Sequence, residues 1–277
     1  MRVIRLPGGE RVPALGQGTW NMGDDPARRR EELQSLRTGI ELGLTLIDTA
    51  EMYGDGRAES LVGEAIAGQR DKVFLVSKVL PTNASRKGVA RSCEASLKRL
   101  KTDRLDLYLL HWSGSHPLGE TVLGFEDLLA AGKIRAWGVS NLDLQEMKKL
   151  LALPGGKACA TNQVLYNPAR RGIEFDLLPW SQKLGIPIMA YSPVEQGRIL
   201  RSKALNEVAR HLEATPAQVA LAWVLRQKGV VAIPKAGTVV HVRENRAALE
   251  LRLGVKDLAE LDREFPPPRG PAPLEVI

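Results

Sequence analysis

Asp48, Lys78 and His111 sit at the ends of three short apolar runs, in TLIDTA, VFLVSK and LDLYLLH, and Tyr53 follows the first of them in the polar segment EMYGDG. Together they offer an acid, an amine, an imidazole and a phenol, a set suited to moving a proton onto an oxygen. A free tyrosine has a pKa of about 10, too high for easy proton exchange near neutrality, and a neighbouring ammonium lowers that value by stabilising the phenolate. Lys78 could supply that charge, with Asp48 to hold it and His111 to orient a substrate oxygen or donate to it. Taken singly, each residue has a plainer role. Asp48 and Lys78 could form a structural ion pair, Tyr53 could decorate a surface loop, and His111 could be a satisfied core side chain. The catalytic reading therefore depends on a fold that brings all four to one rim.

Eight short β-rich runs recur along the chain, at residues 14–19, 45–49, 73–78, 105–111, 134–140, 159–165, 186–191 and 231–234. Successive starts are 31, 28, 32, 29, 25, 27 and 45 residues apart, near the roughly 30 residues of one βαβ repeat. Between the runs the apolar period becomes that of an amphipathic helix, as with Leu61, Val62, Ala65 and Ile66, or Val89, Cys93, Leu97 and Leu100. Alternating strand and helix predicts a parallel sheet, and the nearly continuous apolar runs LDLYLLH and IPIMAY suit strands covered on both faces. The expectation is an α/β fold, a single (β/α)8 TIM barrel domain over residues 1–277, with no internal linker that reads as a boundary. The opening VIRLPGGERVP predicts a β-hairpin that plugs the amino end of the barrel. The long last gap predicts helices over 202–211 and, capped by Thr215, over 216–226, with a further C-terminal helix over 255–264. The tail FPPPRGPAP cannot be helical, because its prolines lack donors, and it is expected to run as an extended strap across one face.

In such barrels the active site lies at the carboxyl ends of the strands. That filter adds Trp20, Ser140, Asn141, Asn162, Gln163 and Tyr191 to the first four residues. Composition narrows the field further. The charge of +7 comes from 39 Lys and Arg against 32 Asp and Glu, but the basic residues are scattered, and the run Arg28 to Arg30 is followed at once by Glu31 and Glu32, as on a solvated helix face. No nucleic-acid partner is expected. Cys93 and Cys159 are too few for a disulfide framework and form no C-x-x-C pair, so buried thiols are expected. No apolar run is long enough to span a bilayer, and no leader is evident, so the expectation is no membrane partner and a cytoplasmic protein. His116, His211 and His241 fall in loops or helices rather than in an H-x-H strand pattern, so no metal site is expected. No G-x-G-x-x-G opens a helix after a strand, which speaks against a Rossmann dehydrogenase.

The segments GLTLIDTAEMYGDGRAESLVG, DRLDLYLLHW, VSN, NQVLYN and IPKAG, in that order, resemble the signatures of the aldo-keto reductase family, NADPH-dependent carbonyl reductases built on a (β/α)8 barrel. The resemblance runs from about residue 3 to residue 265. It implies a catalytic tetrad of Asp48, Tyr53, Lys78 and His111 that reduces aldehydes and ketones to alcohols with NADPH, Tyr53 acting as general acid. By the same resemblance Gly18, Thr19, Trp20, Asp48, Ser140, Asn141 and Gln163 surround the nicotinamide, Tyr191 stacks on it with Ser192 beside it, and Gln196 and Gly197 run along the pyrophosphate. Lys235 resembles the lysine that binds the 2′-phosphate of NADP, with Thr238, His241, Glu244 and Asn245 at the adenosine end. Much of the family has arginine where this chain has His241. A neutral imidazole offers one donor in place of a permanent charge and a fork, which softens the preference for NADP(H) and leaves NAD(H) as an alternative cofactor. The pocket for a small-molecule carbonyl substrate is expected between Trp20, Met22, Tyr53, His111 and Trp112, open and tolerant because the tail is brief. Methylglyoxal, aromatic aldehydes and sugar-derived aldehydes all fit that description. A monomer or weak oligomer is expected. The rival reading is a nicotinamide-binding redox sensor with little turnover, which the complete tetrad disfavours.

Overall fold

The computed structural model describes residues 2–277. The first elements are two antiparallel strands, β1 (Val3–Arg5) and β2 (Arg11–Pro13), in which Ile4 pairs with Val12. Gly9 makes the turn with a φ of 99°, a left-handed value that favours glycine. Ile4, Leu6 and Val12 are buried, and the Arg2 guanidinium donates to the carbonyls of Leu225 and Gln227, just ahead of the last strand. The hairpin therefore seals the amino end of the sheet, as its sequence predicts.

The remaining order is β3 (Gln17–Gly18), α1 (Arg29–Glu41), β4 (Leu46–Asp48), α2 (Arg57–Ala65), β5 (Phe74–Val79), α3 (Arg86–Leu100), β6 (Leu105–Leu110), α4 (Leu118–Ala130), β7 (Ile134–Ser140) and α5 (Leu144–Ala152). Then follow β8 (Asn162–Leu165), α6 (Leu177–Leu184), β9 (Ile188–Tyr191), α7 (Lys203–His211), α8 (Pro216–Leu225), β10 (Val230–Ala232), α9 (Val239–Ala247) and α10 (Val255–Glu264). Strands β3 to β10 form one parallel sheet in chain order. The sheet closes on itself: Leu15 bridges Ala232 and Gly18 bridges Lys235, both in parallel. The seam carries real hydrogen bonds, Gly16 N–H to the Ala232 carbonyl at 2.9 Å and Gly18 N–H to the Pro234 carbonyl at 3.0 Å. The fold is a (β/α)8 barrel.

Every strand falls inside or within one residue of its predicted run. The strands that bear Lys78 and His111 are buried along almost their whole length, which is why they read as unbroken apolar runs. Helices α7, α8 and α10 lie where the C-terminal pattern puts them, and Thr215 opens α8 with a capping box, its hydroxyl accepting from Gln218 N–H at 3.2 Å while the Gln218 side chain returns to Thr215 N–H at 2.8 Å. Helix α9 is an addition to the predicted elements. Cys93 and Cys159 are free and buried, and burial pushes both thiols up to about 12. Among the described residues no helix is long and apolar enough to cross a membrane.

Beyond Phe265 the tail has no regular structure. It lies along the carboxyl ends of β7 and β8, where Pro271 to Glu275 and residues including Asp143, Leu165 and Ile173 enclose a cleft of about 240 Å³. Glu275 pairs with Arg170 at 2.6 Å. The strap thus crosses the same end of the barrel as the candidate chemistry.

Candidate active site

Asp48 closes β4 and stands opposite Val76 of β5. Lys78 is two residues further along β5, so alternation of side chains turns it to the same face as Val76. Its ammonium uses all three hydrogens: to Asp48 Oδ2 at 2.7 Å, to the Thr49 carbonyl at 2.9 Å and to the Tyr53 hydroxyl oxygen at 3.0 Å. Lys78 has no solvent exposure and Asp48 only 2%. The second carboxylate oxygen of Asp48 is occupied too, accepting from Gln163 Nε2 at 2.8 Å across the barrel from β8.

Tyr53 reaches this pair because its loop turns sharply. Gly54, Asp55 and Gly56 have φ values of 56°, 52° and 85°, and each left-handed residue that carries a Cβ costs about 1–2 kcal/mol. Glycine at two of the three positions removes most of that cost. Glu51 fixes the start of the loop to the end of β5, accepting from Leu80 N–H at 2.7 Å and from Asn83 Nδ2 at 3.1 Å. The Tyr53 ring then sits edge-on to Trp20 at 4.9 Å and to His111 at 5.8 Å between centroids. His111 prolongs β6 by one residue, its N–H donating to the Val79 carbonyl at 3.0 Å.

The electrostatics correct one expectation. Burial raises the Tyr53 phenol above its ordinary value; the Lys78 ammonium pulls it down, Asp48 opposes that pull, and the net shift is upward rather than downward. Burial alone would lower Lys78, but Asp48 and Tyr53 outweigh it and hold the ammonium protonated. Burial, then the charge of Lys78, draws the His111 imidazole down to about 2. His111 is therefore neutral, and its Nδ1 is buried without a hydrogen-bond partner. The arrangement is a proton-bearing phenol beside a fixed positive charge, faced by a neutral imidazole. It can give a proton to an oxygen and stabilise the phenolate left behind.

The other predicted residues divide into groups. Ser140, Asn141, Gln163 and Tyr191 form one network at the rim: Ser140 Oγ donates to the Gln163 carbonyl at 2.8 Å, Asn141 Nδ2 to the His111 carbonyl at 3.1 Å, and Tyr191 OH to Asn141 Oδ1 at 3.0 Å. Ser192, Gln196 and Gly197 lie in the following loop with φ of 46°, 54° and 86°. Sequence reasoning missed what holds this loop: Glu195, 3% exposed, accepts from Asn167 at 2.7 Å, Arg198 at 2.9 Å and Arg170 at 3.1 Å. Trp20 is half exposed beside Tyr53, and the Trp112 ring lies 4.7 Å from that of His111.

Met22, Thr19 and Gly18, also expected at this end of the barrel, are all buried. Met22 is 1% exposed and belongs to the apolar core, so it offers no surface to a substrate. Thr19 is fully buried, its hydroxyl donating to the Asp48 carbonyl at 2.9 Å. Gly18 is explained by the seam of the barrel, since a Cβ there would stand 2.7 Å from the Ile233 carbonyl oxygen.

Lys235 follows β10, half-buried and without a carboxylate partner among the described residues; burial, then the positive charge of Arg28, lowers its ammonium. Thr238 caps α9 by accepting from His241 N–H at 3.2 Å. Glu244 and Asn245 lie one to two turns on, with Asn245 turned into the protein and His241 exposed.

Residues 14–264 match the model of the Aldo/keto reductase family. The chain is 56% identical to methylglyoxal reductase YeaE of Escherichia coli (strain K12), over 100% of this chain and 99% of that protein. It is 32% identical to the glyoxal reductase of Bacillus subtilis (strain 168), over 99% of this chain and 97% of that one. Among solved structures, an aldo/keto reductase from Klebsiella pneumoniae in complex with NADP and acetate superposes with a TM-score of 0.97 at 51% identity, covering 99% of both chains.

Proposed function

We infer the reaction from the family: the chain belongs to the aldo/keto reductase family, and it is an oxidoreductase that reduces aldehydes and ketones to alcohols with NADPH. The residues present fit that cofactor. Lys235 is a half-buried cation with no carboxylate in ion-pair contact among the described residues, suited to a phosphate, and His111 keeps a buried Nδ1 without a hydrogen-bond partner.

The roles of the residues are our proposal. NADPH, when bound, supplies the hydride to the carbonyl carbon. As the C=O pair shifts to oxygen, Tyr53 releases its hydroxyl proton to that oxygen, giving the alcohol. The phenolate left behind lies 3.0 Å from the Lys78 ammonium, and that fixed charge stabilises it as it forms. Asp48 positions Lys78 by taking one of its hydrogens, and Gln163 positions Asp48. Neutral His111 donates to the carbonyl oxygen and orients it. Tyr53 regains its proton from water before the next turnover. The three-way contact of Lys78 with Asp48, Thr49 and Tyr53 is the observation that carries this reading. Neither the geometry nor the relatives favour the redox-sensing alternative.

The substrates we propose are small 2-oxoaldehydes of the methylglyoxal and glyoxal type. Support comes from the names of the relatives and from a rim framed by Trp20, Tyr53, His111 and Trp112. The remaining proposed contacts, Ser140, Asn141, Tyr191, Ser192, Gln196 and Gly197 with the nicotinamide and pyrophosphate, and Lys235, Thr238, His241, Glu244 and Asn245 with the adenosine end, follow the same reading. We further propose one barrel domain over residues 1–277, working as a monomer or weak oligomer in the cytoplasm, since one chain supplies every residue of the site. Steady-state kinetics with NADPH over methylglyoxal, glyoxal, an aromatic aldehyde and an aldose tests the assignment. Methylglyoxal should show the highest kcat/KM; an aromatic aldehyde turned over tenfold or more faster, a discrimination of about 1.4 kcal/mol, would refute the substrate class.

A further inference from the structure

Arg28, Arg29 and Arg30 occupy the start of α1, where the helix dipole disfavours positive charge. Their neighbours explain only part of this. Arg29 pairs with Glu64 at 2.5 Å. Arg28, by contrast, makes no ion pair or side-chain hydrogen bond among the described residues, and it points across to the loop after β10.

That loop contains Lys235 and Gly237. A Cβ built on Gly237 would meet Arg28 Nη2 at 2.8 Å and Lys235 Nζ at 3.2 Å. The two cations therefore converge on the space that the missing side chain leaves open. Ser35, two turns further along α1, ties the helix to this loop by donating to the Ala236 carbonyl at 2.5 Å. Helix α9 begins beside Gly237, and the N–H groups of its first turn have no carbonyl of their own helix to meet, apart from the one that Thr238 takes. The Glu32 carboxylate acts on Lys235 without pairing with it; it is buried and already accepts from Gly23 N–H at 2.8 Å.

Two like charges held together with no carboxylate in direct contact repel, and they lose that repulsion when an anion lies between them. We propose that Arg28 is a cofactor-specificity residue, forming with Lys235 a two-cation clamp for the 2′-phosphate of NADP(H) and so supplying the arginine fork that His241 does not. The proposal rests on the reading of Lys235 as a phosphate ligand and extends it to a residue from the opposite end of the chain. The Gly237 position keeps the clamp open. His241 carries no fixed charge, and here the arginine arrives from α1 instead of α9.

The test is direct binding, measured by calorimetry on the whole purified protein with NADPH, NADH, 2′,5′-ADP and 5′-AMP, for the parent chain, Arg28→Ala, Arg28→Lys and Lys235→Ala. A charge-assisted contact to phosphate predicts that Arg28→Ala weakens NADPH and 2′,5′-ADP about 10-fold or more, while NADH and 5′-AMP bind as before. Arg28→Lys should fall between, keeping the charge and losing the fork. Adding His241→Arg to Arg28→Ala should restore part of the discrimination. If Lys235→Ala weakens 2′,5′-ADP and Arg28→Ala does not, Arg28 plays no part and the proposal fails while the phosphate site stands. If neither variant changes the preference for the 2′-phosphate, the assignment of Lys235 fails as well.

Discussion

Lys78 has three N–H groups, and each meets a different oxygen: a carboxylate, a carbonyl and a phenol. In the proposed mechanism its value lies in the product of proton transfer, the Tyr53 phenolate, rather than in an acidified ground state. Removing that stabilisation by Lys78→Met should lower kcat by about 10²–10³. The same change leaves Asp48 buried without its cation, so folding should be checked by circular dichroism, and Asp48→Asn, which keeps the shape, should also lower kcat. The pH profile follows from the two shifted groups. Tyr53 keeps its proton because its value lies above the ordinary 10.0, and His111 keeps its neutral form down to about 2. The kcat/KM for reduction should therefore stay level from about pH 5 to 9; an inflection near 6.5 would assign a protonated His111 to the reaction. Stability carries the opposite signature. The unfolded chain protonates His111 below about 6.5 and the folded chain does not, so this residue removes stability as pH falls, by up to about 1.4 kcal/mol per pH unit. His111→Gln should flatten that part of a denaturant series. The convergence of the four residues was readable from the places of Asp48, Lys78 and His111 at strand ends and of Tyr53 in the loop that follows the first of them. The upward shift of Tyr53 was not, because it comes from burial, which the loop sequence EMYGDG does not reveal.

Short elements position these groups, and the loop carrying Tyr53 is the most exacting. Gly56 has a φ of 85°, so Gly56→Ala should cost about 1–2 kcal/mol and also displace Tyr53, lowering kcat more than it raises KM. Urea denaturation and steady-state kinetics on the same variant separate the two effects. Thr215→Ala, at the capping box of α8, should instead cost about 1 kcal/mol with kinetics unchanged. Strands were legible because β5 and β6 are buried along almost their whole length and so read as apolar runs. Helix α9 escaped notice because only Val242 and Asn245 in it are buried, too few to set an apolar period. The same limit hid Arg28. In sequence RRREE is a solvated helix face; its first arginine meets Lys235 only because α1 docks on the loop after β10.

At the scale of the whole molecule, closure of the barrel determines whether strands from opposite ends of the chain share a rim. The seam runs through Gly16 and Gly18 on one side and Ala232 and Pro234 on the other, and it brings Lys235 alongside β3. Gly18→Val should force the seam apart and destabilise the protein by about 1–3 kcal/mol, read as a lower denaturant midpoint, with weaker NADPH binding as a consequence. Eight repeats of similar length made the barrel legible. The route of the tail was not, since prolines predict an extended strap but not the face it crosses; Arg170 and Glu275 decide that by pairing at the active rim.

The most direct test of the account is Tyr53→Phe, assayed for NADPH-dependent reduction of methylglyoxal alongside the NADPH dissociation constant from quenching of protein fluorescence. Loss of the general acid predicts a fall in kcat of about 10²–10⁴, with NADPH affinity within a few-fold of the parent. Turnover close to that of the parent, or a loss matched by an equal loss of NADPH affinity, would contradict the role given to this phenol.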